Sequence, residues 1–397
     1  MSVFIFNRST KFDYYNWLSD SSPVIYAASE KPLNTPGKYK LVRRFDSLNT
    51  GLADKLVLEI SKKTKLNRIV SQSEYDVIRA ATLREYLDIE GQSLESAHAY
   101  RNKVVMKDYL NRAGIKTAAY RKLDSSVDLI KFVHNHGYPV VVKPIDLAGS
   151  RGVELLRSEQ DLNRYLSVPV LRPYMVERFV NGKMYHVNGI FYQNQYHFIA
   201  AYKYINTSLD YQSHGCYGSM TMDPETILSK NLISFCKRVI AALPQTDPLA
   251  FHAEIFYTDN GEFLLNEIAS RTAGSLIVEL MEKDYGFNLS RSWVRSQCGL
   301  DPEIQPDSQP ISYSASLMFP TRNAVLRNLP FFVPFSWCSN LYVNGKQGVQ
   351  NAKAATYTDD VLSIIISGQS EKEVMSRVNE ASEWLDAEIL WVKVNTA

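Results

Sequence analysis

Two carboxylates in the segment 251–271, FHAEIFYTDNGEFLLNEIASR, are the residues whose types and spacing point most directly to chemistry. Asn260-Gly261 lies between two alternating apolar runs, the pattern of a β-hairpin. A two-residue Asn-Gly loop sets Asp259 opposite Glu262 and, further along, Glu254 opposite Glu267. The two acids then face each other on one side of the ribbon, with Cβ atoms about 5 Å apart. Like charges so placed repel, unless a divalent cation sits between them, and two hard oxygen ligands on a rigid hairpin suit Mg²⁺. Spacing alone is equally compatible with two solvated acids on an exposed sheet face. His252 and Ala269 share the acids' side, while Phe251, Ala253, Ile255, Leu264 and Ile268 are expected to face the core. Arg271, four residues beyond Glu267, is placed to meet a phosphate beside the metal or an ordinary salt-bridge partner.

A second cluster is YPVVVKPIDLAGSRGVELL, residues 138–156. Lys143 closes an apolar strand and is followed by a loop holding Gly149, Ser150, Arg151 and Gly152. Glycines let backbone N–H groups converge on phosphate oxygens, and a strand-end lysine supplies a point charge. No GK[ST] follows, so this is not a Walker A loop. A plain hairpin turn with a snorkelling lysine fits the same residues. Lys103 opens a helix over 102–113, and Glu177 lies between a strand and the Gly182 turn, in the position of a hinge. Alone, each reads as a surface charge.

The elements that must position these residues follow from periodicity and punctuation. Strands at 3–6, 23–27 and 68–71 and a helix at 77–87 describe a parallel α/β layer over residues 1–100. Its first turn lacks GxGxxG, which argues against a dinucleotide site. The 102–113 helix has Gly114 as its stop. A capping-box-like Ser125-x-x-Asp128 starts the next helix, Gly137 ends it, and strands follow at 138–143 and 153–156. Ser158-x-x-Asp161 opens a further short helix. Residues 172–179, 185–192 and 196–204 read as strands of a larger sheet. A polar loop over 206–218, carrying His214 and near Ser219, is long enough to be functional. A helix over 227–243 and another over 273–285 flank the hairpin. Three prolines in 301–310 mark a boundary, and 311–397 reads as a separate α+β unit with a Ser370-capped helix and a last strand at 387–394.

Composition narrows the partners. The 397 residues carry 44 Lys+Arg against 42 Asp+Glu, a net charge of +2 that gives no general attraction to nucleic acid or anionic membranes. No apolar run nears the roughly 20 residues of a membrane helix, and the run at 3–6 is too short for a secretion signal. The four cysteines are scattered with no CxxC pair, which gives no zinc site and suits buried thiols in a cytoplasmic, reducing setting.

The order of the pieces carries more than any one of them. A helix lysine, a strand-end lysine, a Gly-rich loop, a hinge Glu and then paired acids with a following Arg resemble the ATP-grasp superfamily, over roughly residues 100–300. That resemblance implies an α/β and α+β protein. It would comprise an N-terminal parallel domain (1–100), an ATP-grasp domain (101–300) with a lid at about 115–178 and a larger antiparallel sheet, and a C-terminal extension (301–397). It implies that Lys103 and Lys143 hold ATP phosphates and that the 149–152 loop closes over the γ-phosphate. Glu177 and Val180 would belong to the hinge that reads adenine, Glu254 and Glu267 would ligate Mg²⁺, and Arg271 would face the transferring phosphoryl group. The pattern departs from the common E-x-N-x-R: Glu267-Ile268-Ala269-Ser270-Arg271 lacks the Asn, a form that resembles bacterial L-amino acid ligases (dipeptide synthetases) and related natural-product enzymes. The acid expected near the ribose is also missing from Gly182-Lys183-Met184.

The expected activity is ATP-dependent joining of a carboxylate, in the simplest case an amino acid, to an amine through an acyl phosphate. His252, Glu74, His214 and Ser219 are the expected substrate contacts, His252 also as a base. A thiol acceptor on a carrier protein, or a nucleotide-binding module without catalysis, are the alternatives. A homodimer is expected by analogy with similar ligases.

Overall fold

The computed structural model describes residues 1–169, 173–206, 215–305, 309–354, 356 and 359–393. Near the N-terminus a parallel sheet runs in the order Leu41–Arg44, Val24–Ser29, Ser2–Asn7, Arg68–Ser71. Its central strand is apolar on both faces, with Val3, Phe4, Ile5 and Phe6 all buried. Continuous apolar strands demand cover on both sides. Helices Leu52–Ser61 and Val77–Leu87 close one face against Phe4 and Phe6. The other face packs Val3 and Ile5 against Tyr14 and Leu18, and also against Val294 and Cys298 from far downstream. Val294 belongs to the helix Leu289–Gln297, so residues from the middle of the chain complete the N-terminal core.

The lid is a four-stranded antiparallel sheet, ordered Tyr120–Leu123, Tyr174–Arg178, Val140–Pro144, Glu154–Leu156. Helices Ser126–His136 and Glu159–Leu166 supply the apolar side chains packed on it. The Ser125/Asp128 capping box forms as expected, and Ser158 accepts from the Asp161 backbone N–H. Strand Tyr174–Arg178 departs from the sequence expectation: it pairs inside the lid and not in the larger sheet. Its apolar Met175 and Val176 are equally at home on either sheet, so pattern alone does not choose between them.

The larger sheet has eight strands, ordered Phe263–Ala269, Leu249–Thr258, Gly182–Tyr192, Gln195–Ile205, Tyr217–Thr221, Tyr313–Pro320, Asp360–Gly368, Cys338–Val343. Helix Ile227–Ala242 packs on it through Leu232, Phe235, Cys236 and Val239. The last three strands come from beyond the proline-rich stretch. Tyr217 pairs with Met318, so Tyr313–Pro320, Asp360–Gly368 and Cys338–Val343 continue the sheet where a separate unit was expected, while Gln350–Asn351, Ala324–Asn328 and Leu390–Val392 form a small sheet of their own. Ser370 caps the helix Glu371–Glu388, which packs on Tyr313–Pro320 and Asp360–Gly368 through Val374, Val378 and Leu385. The final strand is short, Leu390–Val392. Among the described residues no helix is long and apolar enough to cross a membrane.

Candidate active site between lid and sheet

The hairpin brings Glu254 opposite Glu267, as the spacing predicts, but by a different route. The loop has three residues, 259–261. Thr258 N–H donates to the Glu262 carbonyl at 3.0 Å, and Gly261 takes a left-handed φ of 79°. A side chain at such a φ is strained, which is why glycine stands there. The three-residue loop shifts the pairing by one, so Ile255 faces Leu265. A bulge between Ile255 and Glu254 then restores the acid pair and leaves Asn266 as the extra residue. The bulge also turns Leu265, where Leu264 was expected, into the core with Ile268. Asn266 and Glu267, although adjacent in sequence, both face the site.

Opposite the hairpin stands helix Lys103–Arg112, started by the Asn102 side chain, which accepts from the Val104 and Val105 N–H groups. Its buried stripe is Lys103, Met106, Lys107 and Leu110, the spacing of one helical face. Two lysines therefore point inward. The Lys103 ammonium lies 2.7 Å from Glu267 Oε2 and donates to the Leu147 carbonyl at 2.7 Å. Lys107 lies 3.2 Å from Glu177 Oε2. Lys143, at the end of the lid strand, lies 2.5 Å from Glu177 Oε1 and donates to Asn266 Oδ1 at 2.9 Å.

Burial by itself would raise the Glu177 carboxyl, but Lys107 and Lys143 outweigh it and hold it at about 2. Burial pulls the Lys107 ammonium down, against the attraction of Glu177. The carboxyl of Glu254 is likewise held low despite burial, by His252, Tyr204 and Asn266. Tyr204 donates to Glu254 Oε1 at 2.8 Å, and Asn266 Nδ2 donates to Glu254 Oε2 at 2.8 Å. His252 Nδ1 lies 2.8 Å from Asn188 Oδ1, which turns its Nε2 towards Glu254 Oε1 at 3.6 Å.

Lys103, Lys143, Glu177, His252, Glu254, Asn266 and Glu267 line one cavity of about 670 Å³ between lid and sheet. Of the residues singled out by sequence, Lys103, Lys143, Gly149, Ser150, Arg151, Glu177, Val180, His252, Glu254, Glu267 and Arg271 all border it. Gly152 sits behind the loop with a left-handed φ of 69°, and a Cβ there would stand 3.1 Å from Pro144. Arg151 reaches over to the Tyr75 hydroxyl at 3.3 Å.

Three expectations change. The Glu177 carboxylate is taken up by two lysines, so any reading of a base at the hinge falls to the 178–181 segment, which borders the cavity. Ser219 is buried, 2.6 Å from His186 Nε2, and borders neither this cavity nor the second one. Its strand is covered on both faces, which the polar loop before it conceals. Glu74 borders the second cavity, but both of its oxygens are engaged. Arg101 lies at 2.6 Å from Oε1, and Arg271 binds Oε2 through Nε at 3.0 Å and Nη2 at 2.6 Å. Burial opposes ionisation of Glu74, yet Arg271, Arg101 and Lys103 hold its carboxyl at about 2. His214 lies outside the described residues.

Sequence reasoning passed over Lys107, Asn266 and Arg101. Lys107 was legible as the residue one turn after Lys103. Asn266 was legible as the first of two consecutive polar residues, Asn266 and Glu267, in a half-buried strand, a signal of a bulge.

Residues 108–281 match the family model described as the ATP-grasp domain. The chain carries an ATP-grasp domain. Around that domain, the chain is 25% identical over 282 residues to the L-arginine-specific L-amino acid ligase of Bacillus subtilis, covering 68% of this chain and 67% of that enzyme. It is 24% identical over 279 residues to the alanine–anticapsin ligase of Bacillus subtilis strain 168, covering 63% of this chain and 58% of that enzyme. The crystal structure of an L-amino acid ligase from Bacillus licheniformis superposes with a TM-score of 0.76 at 15% identity, covering 99% of both chains. The likeness of fold thus extends over the N-terminal and C-terminal residues flanking the matched domain.

The residues lining the cavity are of the types that could hold a nucleoside triphosphate and a divalent cation. Lys103 and Lys143 present ammonium groups to one space, and Gly149, Ser150 and Arg151 border it. Glu254 and Glu267 offer hard oxygen ligands face to face, with Lys103 now balancing Glu267.

Proposed function

We propose that this ATP-grasp protein is an ADP-forming ligase that joins a carboxylate, in the simplest case an amino acid, to an amine. The observation that carries the reading is the Glu254–Glu267 pair set against Lys103 and Lys143 in one cavity with Arg271 at its edge. A carboxylate is a poor electrophile, so its oxygen first attacks the γ-phosphorus of ATP. The bond from that phosphorus to the β–γ bridging oxygen breaks and ADP leaves. The amine then attacks the acyl carbon, and the C–O bond to phosphate breaks with its electrons leaving on phosphate. Glu254 and Glu267 would hold a magnesium ion, which when bound would supply charge neutralisation to the phosphates.

The chain's own groups do the rest. Lys103 and Lys143 draw the phosphates into place, and phosphoryl transfer is governed mainly by such positioning and charge balance. Arg271 borders both cavities, so it is the group able to meet charge that develops between nucleotide and second substrate. Its guanidinium is oriented by two bonds to Glu74. The 149–152 loop excludes water from the acyl phosphate.

A second cavity of about 690 Å³ lies on the other side of Arg271, at the carboxyl ends of the parallel strands. Gln72 borders it, its side-chain NH₂ donating to the Ser290 carbonyl at 2.9 Å. Phe12, Trp17 and Tyr75 give it an apolar wall.

The test is ADP release from Mg·ATP across single amino acids with hydroxylamine present as a trap, beside Glu267→Ala. A hydroxamate formed by the native chain and lost in the variant is expected and names the activated acid. ADP release with no hydroxamate and no amide from any acid–amine pair would sink the ligase reading.

A further inference from the structure

The bulge in the hairpin delivers a side chain that the expected pairing does not. In regular alternation Asn266 would share the core face with Ile268. Instead Leu265 and Ile268 are both in the core, and Asn266 stands beside Glu267 in the cavity. Its amide spans two groups of opposite charge. Lys143 Nζ donates to Asn266 Oδ1 at 2.9 Å, and Asn266 Nδ2 donates to Glu254 Oε2 at 2.8 Å.

The orientation of the amide is forced by its neighbours. An ammonium can only donate and an ionised carboxylate can only accept, so the oxygen must face Lys143 and the NH₂ must face Glu254. An aspartate, with no N–H, cannot make the second bond. The arrangement keeps the ammonium and the carboxylate apart: without the amide, nothing on that line separates the two charges. They would be drawn together, which takes the lysine from the phosphates and the carboxylate from the cation. Position 269, two beyond Glu267, is an alanine and offers no amide of its own.

We infer that Asn266 is a positioning residue that holds the phosphate-binding lysine and the cation-binding carboxylate in their working places, an amide supplied by a β-bulge before the second acid. The inference rests on the reading of Glu254 and Glu267 as the cation ligands. Asn266 acts through its two neighbours and is assigned no bond to the cation or to ATP.

The experiment measures binding on the full chain, without turnover. Free Mn²⁺ is followed by its electron paramagnetic resonance signal, and ATP binding is followed by calorimetry in the presence of EDTA. Asn266→Ala is expected to weaken Mn²⁺ binding about tenfold, because Glu254 loses a charge-assisted hydrogen bond and moves towards Lys143. ATP measured without metal should weaken about threefold or more. Asn266→Asp keeps the shape and tests the charge pattern. It loses the bond to Glu254 but sets a further negative charge beside it, so it should bind Mn²⁺ at least as tightly as the native chain while holding Lys143 back from metal-free ATP, which binds about tenfold more weakly. That opposite sign for the two ligands is something a packing role would not produce.

Mn²⁺ binding within twofold of native in Asn266→Ala overturns the inference. So does an Asn266→Asp chain that weakens both ligands alike. If Asn266→Ala does not fold, the nearly isosteric Asn266→Asp alone decides. If the native chain binds Mn²⁺ no better than a Glu254→Ala/Glu267→Ala chain, the site reading fails and the inference with it. A native chain that binds Mn²⁺ through those acids, with indifferent Asn266 variants, removes the inference alone.

Discussion

Replacing Glu177 by glutamine isolates the charge balance on which the lysine cluster depends. Glu177, Lys107 and Lys143 are each at most 5% exposed, so water contributes little to their solvation. Among the described residues Glu177 is the only carboxylate paired with Lys107 within ion-pair distance, at 3.2 Å. The Leu265 carbonyl, at 3.4 Å, is the one other acceptor of that ammonium among the described residues. Lys143 keeps Asn266 Oδ1 when Glu177 is neutralised. Glu177→Gln therefore leaves one buried ammonium nearly unaided beside another. Breaking a buried ion pair from one side costs about 3–5 kcal/mol, a large share of the roughly 5–15 kcal/mol that holds a domain folded.

The pH dependence gives the sign. Burial already depresses the Lys107 ammonium with Glu177 present, and its neutralisation removes an opposing attraction. In the variant the unfolded chain then binds more protons than the folded chain at pH values below the unfolded lysine pKa, about 10.4. Stability of the variant must rise with pH in that window. The assay is urea unfolding at pH 7 and at pH 9.5, with hydrogen exchange read across residues 103–112, since a chain of several units need not open all at once. The expected loss of about 3–5 kcal/mol at pH 7 should narrow at pH 9.5. Glu177→Gln with Lys107→Met should recover most of it. A loss below about 1 kcal/mol at pH 7, or one that does not narrow, would refute the charge-balance reasoning.

Other expectations follow from the same contacts. Glu74 and Glu177, both held at about 2 against an ordinary 4.5, contribute stability that is fully present above pH 4.5 and is lost as pH falls towards 2, so acid unfolding followed by fluorescence should fall in that interval. Arg271→Lys cannot reproduce the two-point contact with Glu74; steady-state rates should drop about 100-fold while metal-free ATP affinity stays within about threefold. Asn102→Ala removes the cap accepting from Val104 and Val105. It should cost about 1 kcal/mol in urea unfolding, and a raised ATP KM should report the loosened Lys103.

Much of this site was readable because it rests on local rules. The Glu254–Glu267 pairing follows from one turn and alternation, and Lys103 and Lys143 from a capped helix and a strand end. What stayed hidden depended on long-range packing. The bulge at Asn266 is compensated by the turn, so an error of one residue near the loop cancelled before the acids. Glu74 is drawn to Arg101 and Arg271 only once the N-terminal sheet docks, and no local pattern records that. Ser219 looked like part of a polar loop because its neighbours in space, Ser316 and His186, are far away in sequence. Strand Tyr174–Arg178 went to the lid for the same reason: pairing partners are chosen in three dimensions.

The pairing of Tyr217–Thr221 with Tyr313–Pro320 has a practical consequence for anyone wishing to handle the catalytic half on its own. The proline-rich stretch at 301–310 invites a cut, yet a chain ended there would strip Tyr217–Thr221 of its neighbour and bare Met220 and Cys216, which pack on Leu317 and Phe319. An open, flat strand of that kind recruits other chains. Shuffling of tail segments between relatives should therefore yield aggregates unless the whole span from about residue 215 to the last helix travels as one cassette.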